Sequence, residues 1–203
     1  MPNKDEIKFM INEYTDWHTK YGDDYKSVGW NKPKHLSRFE CLTSYWNIDK
    51  NLDIVDVGCG LAHLAEYLKM KHQNFNYTGI DINKTFIETN KQKYPEYSFY
   101  LIAADNFLQK GDLIFASGLF NRKFSDSDAF FNKTVKSIIN NAKVGCSFNC
   151  LSSSAIKKND HNFYVSLSAI EKIIDRSIID GFLIDGDTIP GELTVHIRKK
   201  ILK

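Results

Sequence analysis

Two glycines and three carboxylates stand at positions that suit the binding of a nucleotide-like ligand. Gly58 and Gly60 follow a short apolar run that contains Asp56. Glycine at such a turn lets the backbone come close to a ligand, because no side chain intervenes. Asp81 lies 23 residues after Gly58, near the spacing of about 20 residues at which a carboxylate reaches ribose hydroxyls. Asp105 ends a further apolar run. This pattern predicts recognition of a ribose-bearing cofactor.

The two glycines and three carboxylates would have to be positioned by strands that end at them and by the helices that follow. Residues 54–57 are mostly apolar and predict a buried strand, and the apolar spacing after it predicts a helix over 61–72. A strand, a glycine turn and a helix form the unit that binds nucleotide-like cofactors at the carboxyl end of a sheet. Further strands are predicted over 77–82, 98–103, 112–117, 145–151, 179–185 and 192–202. Further helices are predicted over 5–21, 38–46, 84–93, from 125 or 126 to 141, and 166–176, with a short helix or turn at 105–110.

Strands that alternate with helices and then close with a hairpin predict an α/β fold. We expect a mostly parallel seven-stranded sheet with an antiparallel edge strand and helices on both faces. The chain of 203 residues suits a single domain. Within it, residues 1–48 are expected to form an N-terminal helical cap or lid segment, and residues 49–203 the core.

Composition narrows the classes of partner. The net charge is +2, from 27 basic and 25 acidic residues, so no strong field favours nucleic acid. The sequence has no run of about 18 or more apolar residues, and its start lacks a signal-peptide core. We therefore expect a cytoplasmic protein with no membrane partner and a small-molecule substrate. No cluster of residues has metal-ligand spacing, so no metal is expected. The sequence leaves the oligomeric state open.

The residue at position 63 separates two classes of cofactor. A dinucleotide fingerprint reads Gly-x-Gly-x-x-Gly, and its third glycine lets the helix pack closely on the strand. That place is taken here by His63. A nicotinamide-dependent oxidoreductase is therefore the less favoured alternative.

Three motifs in the first half of the chain resemble those of the class I S-adenosylmethionine-dependent methyltransferases. They are VDVGCG at 55–60, GIDI at 79–82 and AAD at 103–105, and the resemblance extends over 50–121. It implies a Rossmann-like fold, S-adenosyl-L-methionine as cofactor and S-adenosyl-L-homocysteine as product.

The resemblance also implies roles for individual residues. Asp56 would lie near the methionine amino group, Asp81 would bind the ribose hydroxyls, and Asp105 would meet the adenine amino group. Arg38 would pair with the cofactor carboxylate, for which its planar donors are suited; the alternative is a surface arginine on a helix. The expected cofactor-binding residues are Arg38, Asp56, Gly58, Cys59, Gly60, Asp81, Ile82, Ala104, Asp105, Asn106, Ser117 and Gly118.

A second resemblance covers most of the chain. The sequences VGW at 28–30, RFE at 38–40, ASGLFN at 116–121, FNCLSS at 148–153 and ELTVHIRK at 192–199 are similar to a group of small bacterial methyltransferases. The acceptor of that group is uncertain, so this resemblance implies little about the substrate.

The methyl acceptor is expected over the carboxyl ends of the strands, against the loops after the fourth and fifth strands and the N-terminal segment. The candidates for binding it are Tyr25, Trp30, Asn121, Asn149 and Tyr164. Transfer from a sulfonium depends largely on positioning, although a hydroxyl acceptor benefits from a base with a pKa near the working pH. His18 and His161 are the candidates for that base. The alternative for each is an exposed histidine with no catalytic part.

The loop after the fourth strand bears on the acceptor atom. It reads ASGLFN and lacks the NPPY or DPPY signature of nitrogen acceptors in nucleic-acid bases. We predict a methyltransferase that acts on a metabolite, a surface-glycan intermediate or a natural-product intermediate, with oxygen as the acceptor atom. The alternative of another class is a non-catalytic S-adenosylmethionine-binding partner subunit.

Two polar or glycine-interrupted stretches are candidates for lids. We expect residues 18–35 and 152–164 to be poorly protected without ligand and to order when cofactor and acceptor bind. The alternative is that 18–35 packs permanently on the core through Trp30.

Overall fold

The computed structural model describes residues 2–48, 51–72 and 74–200. The strands are β1 Leu52–Val57, β2 Phe75–Asp81, β3 Ser98–Leu101, β4 Gly111–Ala116, β5 Ala142–Ser152, β6 Tyr164–Val165, β7 Ile179–Asp185 and β8 Glu192–Lys199. The α-helices are α1 Lys4–Tyr21, α2 Lys32–Thr43, α3 His63–Lys71, α4 Lys84–Lys93, α5 Ser127–Asn141 and α6 Leu167–Ile173. A 3-10 turn at Tyr25–Val28 separates α1 from α2.

The strands form one sheet in the order β3-β2-β1-β4-β5-β8-β7, with the short β6 paired to β5 beside this path. β1 to β5 pair in parallel, so their carboxyl ends meet at one edge. The predicted α/β class with a mostly parallel sheet is confirmed. The two-residue β6 was not predicted, and of the two possibilities predicted for 105–110, a short helix or a turn, the structure has a turn that begins at 104.

The position of the antiparallel strand differs from the prediction. β8 runs antiparallel to both β5 and β7, so it lies one place inside the edge, and β7 is the edge strand. The reason lies in burial. Leu193, Val195 and Ile197 of β8 are almost fully buried, whereas the inner residues of β7 are partly or fully exposed. β8 therefore has its apolar side chains buried between two neighbouring strands, whereas β7 has a neighbour on one side only.

Alternate residues of the central strands face two separate cores. Val55 and Ile114 face a core with α5 and α6, and Ile54 and Leu113 face a core with α2, α3 and α4. Helices therefore cover both faces, as predicted. Among the described residues, no helix is both long and apolar enough to cross a membrane.

The N-terminal helix packs differently from the others. α1 begins with a capping box between Asn3 and Glu6, yet none of its residues is buried. Its contacts reach Asn83 before α4 on one side and Arg122 after β4 on the other. α1 therefore spans the carboxyl edge of the sheet rather than resting on either core.

Candidate functional site

The turn after β1 has the backbone that the glycines predict. Gly58 and Gly60 have φ angles of 76° and 51°, and Ala62 repeats the left-handed conformation at 57°. A Cβ on Gly58 would lie 2.9 Å from Leu119, and one on Gly60 would lie 3.1 Å from Val28. Both glycines are therefore required by their dihedral angles and by the close approach of neighbouring segments.

The carboxylate of Asp81 holds this turn in place. It accepts hydrogen bonds from the backbone N–H of Gly60 at 2.9 Å and of Asn83 at 2.8 Å. Burial raises the pKa of this carboxyl, and the two N–H donors oppose that rise. The acid at the end of β2 thus connects the turn after β1 with the start of α4.

Asp56 lies on the face of β1 that is covered by α2, α3 and α4. It is 3% exposed, and the Tyr77 hydroxyl donates to it at 2.6 Å. Burial raises the pKa of Asp56 to about 7; the Tyr77 hydrogen bond opposes the rise, and the charge of Asp81 adds to it. A buried carboxyl with this pKa is well placed to receive a cationic group.

The third acid is at the far side of the same edge. Asp105 pairs with Lys133 of α5 at 3.0 Å, and the Asp105 side chain is 14% exposed. The turn after β4 is held by Asn149, whose side-chain oxygen accepts from the Gly118 backbone N–H at 2.7 Å. Asn149 also donates to the Ser117 hydroxyl at 3.5 Å.

One cavity of about 1430 Å³ connects these groups at the carboxyl ends of the strands. Asp56, Asp81 and Asp105 all line it, together with Gly58 and Gly60. Pockets that bind drug-sized ligands usually measure about 300–1,000 Å³. The cavity therefore has room for a cofactor and a second molecule.

The segment 28–30 forms one wall of the cavity. Val28 lies over Gly60, and a Cβ on Gly118 would lie 3.3 Å from the Trp30 ring. The guanidinium of Arg38 stacks over that ring at 3.6 Å from its centroid. One short segment thus covers the glycines after both β1 and β4.

Arg38 is buried rather than on the surface. It is 5% exposed, and its Nε donates to the carboxylate of Glu192 at 2.7 and 2.9 Å, while its Nη2 pairs with the same carboxylate. Its remaining nitrogen, Nη1, is buried and has no hydrogen-bond partner. Since Arg38 also lines the cavity, this nitrogen is a candidate donor to an anionic ligand group.

Most of the predicted site residues line this cavity. These are Trp30, Arg38, Asp56, Gly58, Cys59, Gly60, Asp81, Ile82, Ala104, Asp105, Ser117, Gly118, Asn121 and His161. Nδ2 of Asn121 is buried without a hydrogen-bond partner, which marks it as a donor for an acceptor molecule.

The other predicted residues lie outside the lining. Asn106 is exposed, and Tyr25 stacks on His63 with ring centroids 4.1 Å apart. Asn149 shapes the turn after β4, and the Tyr164 hydroxyl accepts from the Asn159 backbone N–H at 2.7 Å. Of these four side chains, Asn149 acts on the cavity through the turn that it holds.

His18 also lies outside the lining. Its Nδ1 is 2.9 Å from the Gly22 carbonyl oxygen, and its Nε2 is 3.3 Å from the Thr89 hydroxyl. Both ring nitrogens therefore have partners within the protein, and the ring packs edge-on against Phe86. Of the two predicted histidines, the structure brings only His161 to the cavity.

Two other histidines reach the cavity and were not predicted as site residues. His35 and His63 are 6% and 3% exposed and both line it. Burial, with the nearby charges of His63 and Arg38, lowers the pKa of His35 to about 3. Burial also lowers the pKa of His63, whose Nε2 is 3.0 Å from the Asp23 carbonyl oxygen. One feature of the sequence could have indicated His35. It lies three residues before Arg38, so the two side chains share one face of the predicted helix.

Within residues 2–48, 51–72 and 74–200, no three His, Cys, Asp or Glu side chains gather in a way that could hold a metal ion. The site instead offers carboxylates at strand ends, backbone N–H groups at glycine turns and an arginine with a free donor. This set of groups suits a ligand that carries hydroxyls, an ammonium and a carboxylate.

This fold and this site define an α/β domain that binds its ligand across glycine turns at the carboxyl edge of a parallel sheet. Residues 55–144 match the family model described as a methyltransferase domain. The match spans 90 of the 203 residues and contains all three motifs of the first half of the chain, and it supports their resemblance to the class I S-adenosylmethionine-dependent methyltransferases.

Two curated relatives are 27% and 28% identical to this chain over the matched residues. A Mycobacterium tuberculosis protein provisionally named as a methyltransferase, Rv1506c, is 28% identical over 153 residues, which are 72% of this chain and 92% of that protein. The malonyl-[acyl-carrier protein] O-methyltransferase of Priestia megaterium is 27% identical over 124 residues, which are 59% of this chain and 43% of that enzyme.

Solved structures show the same fold. The magnesium protoporphyrin IX methyltransferase of Synechocystis PCC 6803, crystallised with bound S-adenosylhomocysteine, superposes with a TM-score of 0.67. The sequence identity is 11%, and the superposition covers 93% of this chain and 94% of that one. At this identity the likeness concerns the fold alone.

Proposed function

We propose that this protein binds S-adenosylmethionine and transfers its methyl group to an oxygen atom of a small-molecule acceptor. One observation carries the proposal. The carboxylates of Asp56, Asp81 and Asp105 line a single cavity beside the glycine turn after β1. Their order along the sheet edge follows the order of ammonium, ribose and adenine in the cofactor.

The residues present fit this cofactor. Asp81, fixed by two backbone donors, would accept hydrogen bonds from the ribose hydroxyls. Asp56 would neutralise the ammonium group. Asp105 would accept a hydrogen bond from the adenine amino group once its ion pair with Lys133 opens. The unpartnered Nη1 of Arg38 would bind the carboxylate. When bound, the cofactor supplies a methyl group that its positive sulfonium already activates.

The protein's part in the reaction is mainly to orient the two molecules and to exclude water. An in-line displacement needs the acceptor atom held close to the methyl carbon, and such positioning can lower the barrier by several kcal/mol, up to about 7–11. Trp30 covers the turn after β4, and Asn121 offers a buried donor in the same cavity. His161 lines the cavity and is the candidate base for a hydroxyl acceptor.

The assignment to oxygen has two supports. The loop after β4 reads Ser117-Gly118-Leu119-Phe120-Asn121 and has no NPPY-type signature. The Priestia megaterium relative is named as an O-methyltransferase, although its match covers less than half of that enzyme. The acceptor itself is proposed only as a small molecule.

Two measurements test the proposal. Calorimetric titration with S-adenosylhomocysteine should show a single site, and NAD should show none. Incubation with methyl-labelled S-adenosylmethionine and a fractionated metabolite extract should label one class of molecule. Binding without any labelled product would instead support a non-catalytic partner subunit.

A further inference from the structure

The side chain of Asn83 joins three parts of the site. It is 3% exposed and stands between β2 and α4. Its backbone N–H donates to Asp81 at 2.8 Å, and its side-chain oxygen accepts from the backbone N–H groups of Thr85 and Phe86 at 2.9 and 3.3 Å. Because the oxygen serves these two donors, the amide nitrogen must point the other way.

That amide nitrogen reaches α1. It donates to the Thr15 hydroxyl at 3.1 Å and to the Ile11 carbonyl at 3.4 Å. Ile11 also lines the cavity. The chain of contacts therefore runs from the carboxylate expected to bind ribose, through Asn83, to a wall of the cavity.

α1 depends on such contacts for its place. None of its residues is buried, so the apolar area that would fix it to a core is small. It is also attached to α4 and to the 3-10 turn, where His18 contacts Thr89 and the Ser27 hydroxyl donates to a carbonyl of α1. Further attachments lie across the cavity, on the segment that follows β4. Glu13 pairs with Arg122, and Glu6 accepts from the backbone and the hydroxyl of Ser125 at 2.6 and 2.8 Å.

We propose that Asn83 is a positioning residue that couples cofactor binding at Asp81 to the placement of α1 over the acceptor end of the cavity. The inference rests on the proposed function, since it requires a ribose at Asp81. A ligand that fixes Asp81 fixes the backbone of Asn83, and the amide then holds α1 in one position. This coupling is reciprocal. If cofactor binding favours the ordered position of α1, then loss of the contact that orders α1 weakens cofactor binding by the same factor.

Two substitutions change this contact from opposite sides. Thr15→Val removes the hydroxyl acceptor from α1, keeps the shape of the side chain and leaves the longer bond from Asn83 to the Ile11 carbonyl. Asn83→Ser keeps a residue that caps α4 well but is too short to reach α1. The matched control is Thr19→Val, because the Thr19 hydroxyl makes the same kind of bond within α1, to the Thr15 carbonyl at 3.0 Å, and is exposed.

The experiment measures S-adenosylhomocysteine affinity by calorimetry and amide hydrogen exchange across 4–21 with and without that ligand. In the wild-type protein, saturating ligand should slow exchange in α1. In Asn83→Ser this ligand-dependent slowing should be lost, and the affinity should fall about two- to tenfold, the effect of one hydrogen bond. Thr15→Val should reduce the slowing and the affinity in the same direction but by less. Thr19→Val should match the wild type, and the double variant Asn83→Ser/Thr15→Val should lose no more than Asn83→Ser alone.

A purely structural contact would give a different result. It would speed exchange in α1 equally with and without ligand and leave the difference between the two states unchanged. That result, or wild-type affinity in Asn83→Ser, would overturn the coupling while leaving the proposed function intact. Absence of any S-adenosylhomocysteine binding to the wild-type protein would overturn both.

Discussion

The carboxylate of Asp81 lies 2.9 Å from the backbone nitrogen of Gly60, so the acid at the end of β2 holds the glycine turn that follows β1. The same carboxylate accepts from Asn83. Asp81 therefore has a structural role, as the acceptor for two backbone N–H groups, in addition to the cofactor contact expected of it. A substitution there has two effects, and they can be measured separately.

Asp81→Asn keeps a side-chain oxygen that can accept from one backbone donor, but it removes the charge. We expect its affinity for S-adenosylhomocysteine to fall by about 10- to 150-fold, since hydrogen bonds to charged groups contribute about 1.5–3 kcal/mol. Asp81→Ala should lose the same affinity and also unfold at lower urea concentration, because two backbone donors lose their acceptor. Calorimetry and urea titration measure the two effects. Unchanged affinity in a folded Asp81→Asn variant would contradict the ribose contact.

Ligand stabilisation should distinguish the cofactor classes. S-adenosylhomocysteine at 100 times its Kd should add about 2.7 kcal/mol to the free energy of unfolding. For a chain of this length that corresponds to a Tm increase of about 5–11 °C. NAD at the same concentration should leave the Tm unchanged. An increase with NAD and none with S-adenosylhomocysteine would contradict the assignment.

The buried carboxyl of Asp56 should make the ligand-free protein less stable as the pH rises. Its pKa is about 7 in the folded protein and about 3.9 when unfolded. Between these values the folded state keeps a proton that the unfolded state has lost, so stability falls from about pH 4 to about pH 7. The total effect is up to about 4 kcal/mol.

Asp56→Asn should remove this dependence, because an amide does not titrate, and the variant should be the more stable protein at pH 8. The buried His35 and His196, whose pKa values are lowered to about 3 and about 4, titrate in the opposite direction. They are the same in both proteins, so their contribution cancels in the difference. The check is the difference in urea unfolding free energy from pH 5 to 8, and a constant difference would refute the raised pKa.

The buried pair of Arg38 and Glu192 should be costly to break from either side. Arg38→Met or Glu192→Gln leaves one charged group buried without its partner, and each should lower the free energy of unfolding by about 3–5 kcal/mol. The double variant Arg38→Met/Glu192→Met should lose much less. The matched control is Glu96→Gln, which breaks the exposed pair with Lys69 and should cost under about 1 kcal/mol. Equal small losses in all four variants, by urea titration, would show that the Arg38 pair is solvated.

The two predicted lid stretches should differ in hydrogen exchange. Tyr25 is 8% exposed and Ser27 fully buried, with the Ser27 hydroxyl 2.6 Å from the Gly22 carbonyl oxygen. We therefore expect slow exchange over 25–30 without ligand. Residues 153–162 are largely exposed and should exchange quickly until ligand binds. Fast exchange over 25–30 in the ligand-free protein would favour the moving lid instead.

The sequence by itself determined the part of the site whose geometry is local. Gly58 and Gly60 adopt positive φ angles that side chains resist, and apolar runs before them predict strands. Because parallel strands bring their carboxyl ends to one edge, the acids at 56, 81 and 105 had to meet near that edge. The alternation of strands with helices likewise predicted a mostly parallel sheet, whereas the place of the antiparallel β8 inside the edge was decided by the pairing of the strands.

Only the tertiary structure decided which distant groups close the cavity. Arg38 meets Glu192 across 154 positions, and Asn83 meets Thr15 across 68. No local pattern marks such pairs, because each requires two separate elements to pack at a particular angle. The same is true of His63, whose burial beneath Tyr25 lowers its pKa. From the sequence, position 63 shows only that the third glycine of the dinucleotide fingerprint is replaced by histidine. The environment of that side chain is set by packing and not by its neighbours along the chain.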